Sequence, residues 1–94
     1  MRIYIIRSSD KEENYIDRTL QTEERLIENG DLVMNPLPDQ HDHISNKKLH
    51  DMYGHNIREC DEVYVMDGYN RGNVIGNAEF AEAMVHKKTI RFEQ

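Results

Sequence analysis

What this sequence has little of narrows it first. It has a single cysteine, Cys60, which leaves no internal disulfide and too few thiolates for a Cys₂ or Cys₄ zinc site. That suits a reducing compartment. Basic charge is also scarce. Twelve Lys and Arg against 18 Asp and Glu give a formal net charge of −6, so there is no cationic face to neutralise a phosphate backbone, and no nucleic-acid polymer is expected as a partner. Small anions stay open, because one or two arginines and a helix N-terminus suffice to hold them. No apolar run approaches the ~18 residues of a membrane span. The opening "MRIYIIRSSD" reads as a strand and not as the apolar core of a secretory signal. No membrane partner is expected, and the expected location is the cytoplasm. No GxGxxG follows the first apolar run, no GxxxxGK[ST] occurs, and no Ser-His-Asp order supports a triad. Nucleotide-cofactor and P-loop chemistry are therefore unsupported, and no cofactor is expected. Repeats and low-complexity tracts are absent too.

What is there reads as one domain over residues 1–94, with 37% hydrophobic and 32% charged residues interleaved. A core this small is marginal, and a subunit interface is a natural supplement, so a homodimer or higher homo-oligomer is expected. "RIYII" is a first strand. "YIDRTLQTEERLIENG" follows as a helix, with Ile16, Leu20, Glu23 and Leu26/Ile27 at helical spacing and Gly30 as its stop. "DLVMNP" is a second strand. After the loop "LPDQHDHIS", Ser45 or Asn46 can cap a helix carrying Leu49, Met52, Tyr53 and Ile57 on one face. "DEVYVMD" is a third strand, residues from about Ala78 to His86 a third helix, and "KTIRF" a fourth strand. Strands alternating with helices predict an α/β fold: a doubly wound, four-stranded parallel sheet in the order 2-1-3-4 with three helices. In such a sheet ligands bind beyond the carboxyl ends of the strands at the switch point. That sets "IRSSD" beside "MDGYNRGN".

The candidates each carry two readings. Glu79 at the start of the third helix is either ordinary helix-dipole chemistry or a carboxylate aimed into the crevice. Asp67-Gly68 is a turn dipeptide, or it places a carboxylate at a strand end. Tyr4 either covers the sheet or reaches the crevice. Arg7, Ser8 and Ser9 form a polar turn or a set of phosphate donors. The histidines of "DQHDH" (Asp39 to His43) sit in a loop, and neither His50 nor His55 has the i, i+4 spacing of a helical ligand pair, so no metal site is expected.

"MRIYII", "ERLIENGDLVMNP", "IRECDEVYVMDGY" and "AEFAEAMVHKKTIRF", in that order, resemble the nucleoside 2-deoxyribosyltransferase-like superfamily. It includes phage-encoded members and the deoxynucleoside 5′-monophosphate N-glycosidases. The resemblance spans nearly the whole chain. It implies a glutamate nucleophile at the start of the helix after the third strand, matched by Glu79, and a first-strand tyrosine lying against it, matched by Tyr4. The "DG" after the third strand matches Asp67-Gly68, with Tyr69 at a place often aromatic. The implied activity is transfer or hydrolysis of the N-glycosidic bond of a nucleoside or its 5′-monophosphate. Arg7, Ser8, Ser9 and Arg71 are then candidates for a 5′-phosphate, and Tyr69, Asn73 and Asn77 for other substrate contacts.

The chain also departs from the pattern. Arg7-Ser8 stands where a Gly-Pro or Gly-rich turn is usual, and Ile75-Gly76 where Gly-Thr or Gly-Ala is expected. Asn73 occupies the place of an aspartate six residues before the glutamate. An amide has no titrating proton to give a departing base, which leaves Asp67 to supply it. These departures keep two alternatives in view: a non-catalytic nucleotide-binding or regulatory module using the same crevice, and a plain interaction domain.

Overall fold

The computed structural model describes residues 1–37, 46–72 and 74–93. The elements run β1 (Arg2–Ile6), α1 (Tyr15–Glu28), β2 (Leu32–Val33), α2 (Asn46–Glu59), β3 (Glu62–Val65), α3 (Val74–Val85) and β4 (Thr89–Phe92). All strand pairs are parallel, in the order β2-β1-β3-β4, the expected doubly wound arrangement. The Asp39–His43 stretch, the Ser45 cap candidate, Asn73 and the Leu49 side chain lie outside the described residues.

β1 is central, and its alternation deals side chains to two cores. Ile3 and Ile5 join Leu26, Val33, Tyr64 and Met66 on the α1 side. Tyr4 and Ile6 join Tyr53, Ile57, Val63, Val65 and Ala83 beneath α2 and α3. Ile3, Ile5 and Ile6 are almost wholly buried, each contributing roughly 1.5–3 kcal/mol of apolar transfer. β2 is shorter than its sequence suggests, because Asn35 takes over the pairing. Its side-chain amide accepts from the Ile5 N–H at 2.8 Å and donates to the Ile5 carbonyl at 2.6 Å.

α1 buries Glu23 and Leu26 of the expected set but differs in the rest of its buried face. Thr19, Thr22, Glu23 and Leu26 turn inward, while Ile16, Leu20 and Ile27 stay exposed. The threonines can be buried because their hydroxyls bond carbonyls one turn back, Thr19 to Tyr15 at 2.7 Å and Thr22 to Arg18 at 2.9 Å. Gly30 ends the helix as expected. It has φ +89°, its N–H bonds Ile27 O, and Asp31 N–H reaches back to Leu26 O, a Schellman closure. α2 is closed by Lys88, whose ammonium donates to the Arg58 and Cys60 carbonyls at 2.7 and 2.8 Å.

α3 begins at Val74, earlier than the predicted start near Ala78. Glu79 consequently lies in the second turn of α3, where the dipole of a helix start no longer accounts for a carboxylate.

Candidate active site

α3 turns Gly76, Glu79 and Ala83 toward the sheet. These positions share one helical face, so a long acidic side chain is set between two small residues and can lie flat on β1. There it meets Tyr4, which the alternation of β1 directs to the same side. The Tyr4 hydroxyl donates to Glu79 Oε2. Only 8% of Glu79 and 2% of Tyr4 remain exposed.

Burial sets the electrostatics. Removed from water, the Glu79 carboxyl is pushed up from 4.5 to about 7, although the Tyr4 hydrogen bond and the Arg7 charge both favour its ionised form. The Tyr4 phenol is held far above its usual range, by burial first and by the charge of Glu79 second. Tyr53, on α2, packs into the same cluster; burial, then the charges of Glu79 and Glu82, push its phenol up. The arrangement yields a carboxyl that changes charge near neutral pH, oriented by a phenol that stays protonated.

Arg7 leaves the end of β1, donates to the Asn35 carbonyl and lies 3.9 Å from Glu23. Its enclosed Nε meets no hydrogen-bond partner among the described residues. Ser8 and Ser9 are buried and serve the turn. Ser8 Oγ donates to the Asp67 carbonyl at 2.7 Å, the Ser9 N–H donates to the Gly68 carbonyl at 3.0 Å, and Ser9 Oγ accepts from Lys11 N–H at 3.2 Å. The two loops at the switch point are therefore joined to each other, as the topology requires.

Asp67 is exposed at the end of β3, and its backbone is held on both sides. Besides Ser8, Glu93 accepts its N–H at 2.9 Å and is itself paired with Arg18 at 2.8 Å. Gly68 follows with φ +80°, where any other residue would be strained, and a Cβ there would fall 2.6 Å from the Glu12 carboxylate, which would have to move aside. Tyr69 stacks on Phe80 at 5.5 Å between centroids, and both pack, partly buried, against the cluster that holds Tyr4 and Ala83. Arg71 is exposed and pairs with Glu12 at 3.2 Å. Asn77 is exposed on α3, on the side turned from the sheet.

Of the residues singled out from sequence, the structure thus brings Tyr4, Arg7 and Glu79 together. It joins Ser8, Ser9 and Asp67 in a neighbouring junction, packs Tyr69 against the cluster that holds Tyr4, and leaves Arg71 and Asn77 exposed. Tyr53, Glu23, Asn35, Arg18 and Glu93 were not singled out as site residues. The Asn35-Pro36 turn signal could have marked Asn35, but nothing local distinguishes the others from ordinary helix-face or surface residues. Burial pushes the Cys60 thiol up, the reverse of what a nucleophilic cysteine needs. Among the described residues, no group of three or more His, Cys, Asp or Glu is placed to hold a metal ion, and no helix is long and apolar enough to cross a membrane.

The structure thus defines an α/β domain with a carboxyl–phenol pair buried between α3 and the central strand of its sheet. The same fold occurs in solved enzymes. A CMP N-glycosidase from Clostridium botulinum superposes with a TM-score of 0.76 at 20% identity, over 98% of this chain and 70% of the other. A 2-deoxyribosyltransferase from Bacillus psychrosaccharolyticus does so with a TM-score of 0.67 at 18% identity, over 98% and 71%. Neither a protein-family model nor a curated protein sequence matches this chain.

Proposed function

We propose that this chain transfers or hydrolyses the N-glycosidic bond of a nucleoside or its 5′-monophosphate, as a member of the nucleoside 2-deoxyribosyltransferase-like superfamily, with Glu79 as nucleophile. The observation that carries this reading is the buried Tyr4–Glu79 pair, set in a fold shared with an N-glycosidase and a deoxyribosyltransferase.

In the first step a Glu79 carboxylate oxygen bonds C1′ of the sugar as the C1′–N bond breaks. The bonding electron pair leaves with the base, which takes up a proton. Asp67, a carboxyl at the strand end, is the candidate donor. Positive charge develops on the sugar in the transition state, so the carboxylate stabilises it before and during bond formation. In the second step water or another base displaces the sugar from Glu79. Tyr4 holds the attacking carboxylate in one orientation. Arg7 and Arg71 are the cations available to a 5′-phosphate, and Asn73 is a candidate sugar or base contact. No step requires a cofactor.

The nucleophile must be ionised, so with Glu79 at about 7 the rate on free enzyme should rise with pH through neutrality. The exposed Val74, Met84 and Val85 on α3 support a homo-oligomer, and the acidic, cysteine-poor composition supports a cytoplasmic location.

A second reading, nucleotide binding without chemistry, is favoured by the engagement of Ser8 and Ser9 in their own turn and by the amide at position 73. Chromatography of deoxynucleosides and their 5′-monophosphates after incubation separates the two. Free base from the wild type but not from Glu79→Ala supports the chemistry, and equal release by both refutes the assignment. A ligand-raised melting temperature without free base would favour binding alone.

A further inference from the structure

A groove of about 390 Å³ runs between α2 and α3, lined by Asp51, Tyr53, Gly54, Arg58 and Glu82. It comes within one helical turn of Glu79 yet is not lined by it. The two carboxylates of α3 thus have opposite fates. Glu82 opens onto the groove and pairs with His86 at 3.0 Å, while Glu79, three residues earlier, is sealed. Tyr53 neighbours both. It is 8% exposed and packs with Tyr4 and Ala83 in the core under α3. It also lines the groove and lies within electrostatic reach of both Glu79 and Glu82.

We infer that Tyr53 is a positioning residue whose ring forms the wall between the groove and the Glu79 carboxyl, keeping groove water off it. The wall works through its ring, because what it provides is excluded water. Among the described residues, the ionisable groups facing Glu79 are Tyr4 of β1, Arg7 just beyond it and Tyr53 of α2. Of these, Tyr53 alone lines the groove. The inference deepens the proposed function by naming what keeps its nucleophile dry, and it rests on that reading only for its catalytic consequence.

The test follows the Glu79 carboxyl by carbon NMR in protein labelled at glutamate, across pH and without substrate. Signal assignment comes from Glu79→Gln. In Tyr53→Phe the ring remains and the midpoint should stay near the wild-type value of about 7. In Tyr53→Ala the wall is gone, and the midpoint should fall toward the ordinary glutamate value by at least a tenfold change in the protonation constant. If Tyr53→Ala does not fold, Tyr53→Leu, which keeps apolar volume but shortens the wall, should fall part of the way. A midpoint unmoved in a folded Ala or Leu variant overturns the inference, as does a fall in Tyr53→Phe as large as in Tyr53→Ala. Because no turnover is involved, failure here is distinct from failure of the glycosidic reading, which would appear as a wild type that releases no base.

Discussion

Two glutamates of this chain are buried to nearly the same extent, Glu23 on α1 at 7% exposure and Glu79 on α3 at 8%, and their surroundings differ sharply. Glu23 accepts the Leu37 N–H at 2.6 Å and has the Arg7 guanidinium 3.9 Å away. It fastens the chain after β2 to α1, and its charge is met by a backbone dipole and a cation. Glu79 has a phenol and only the more distant influence of the same arginine. The desolvation of a carboxylate costs several kcal/mol unless hydrogen bonds and countercharge offset it. α1 offsets it and α3 leaves it partly standing. Residual instability of that kind in a charged form is a signature of functional carboxyls. The same residue type at the same burial is thus a strut on one face of the sheet and, in the proposed reading, the nucleophile on the other.

The sharpest break of this contrast is in activity. Glu79→Gln should keep the fold and lower base release by ~10³-fold or more, the scale of losing a nucleophile, whereas Glu23→Gln should change turnover per folded molecule little.

Stability should answer in the opposite order. Glu23→Ala strands the Leu37 N–H and uncovers Arg7, at a cost of about 2–4 kcal/mol, to be read from the midpoint of urea unfolding. For Glu79 the effect depends on pH. Its folded value of about 7 exceeds the ordinary 4.5, so between these limits the native state binds more protons than the unfolded state. The contribution is therefore fully present below pH 4.5 and is lost as pH rises through about 7, amounting to about 3 kcal/mol. Glu79→Gln should flatten that slope. An unchanged slope would mean the carboxyl is better solvated than its burial implies.

Tyr4→Phe removes a donor that favours the ionised carboxylate. The acid limb of the rate profile should move to higher pH, with a stability change of about 1–2 kcal/mol. The smallest effect belongs to Arg71→Ala. Its pair with Glu12 is largely exposed on the arginine side and should be worth no more than about 1 kcal/mol, so any larger loss should appear in affinity for 5′-monophosphates over nucleosides.

The sheet order and the seven elements were legible because each strand is β-branched, each crossover is helix-length, and Gly30 stops α1 where a stop is needed. The start of α3 was not, since Val74 and Ile75 follow a glycine-punctuated loop and their β-branched side chains argue weakly for helix. The buried face of α1 was hidden for another reason. Hydrophobic periodicity points to Ile16 and Leu20, and it cannot show that Thr19 and Thr22 satisfy their own hydroxyls. At the site, Glu79 and Tyr4 stand 75 positions apart, and no local pattern joins them; family resemblance suggested the pair and the structure supplies the contact. Tyr53 was legible only as a core residue, because the groove on its far side exists only once α2 and α3 are packed. Arg7, Ser8 and Ser9 were noticed for the right loop, but their hydrogen bonds run largely to backbone on neighbouring segments, which a linear reading does not reveal.

The measurement that bears most directly on the Glu79 assignment is peptide mass spectrometry of the protein quenched during incubation with a deoxynucleoside and with its 5′-monophosphate. The account predicts a sugar ester on Glu79, formed with one of the two substrates, absent from Glu79→Gln and lost on further incubation as the sugar passes to water or an added base. Base release that proceeds with Glu79 unmodified at every quench time, and persists in Glu79→Gln, would contradict it.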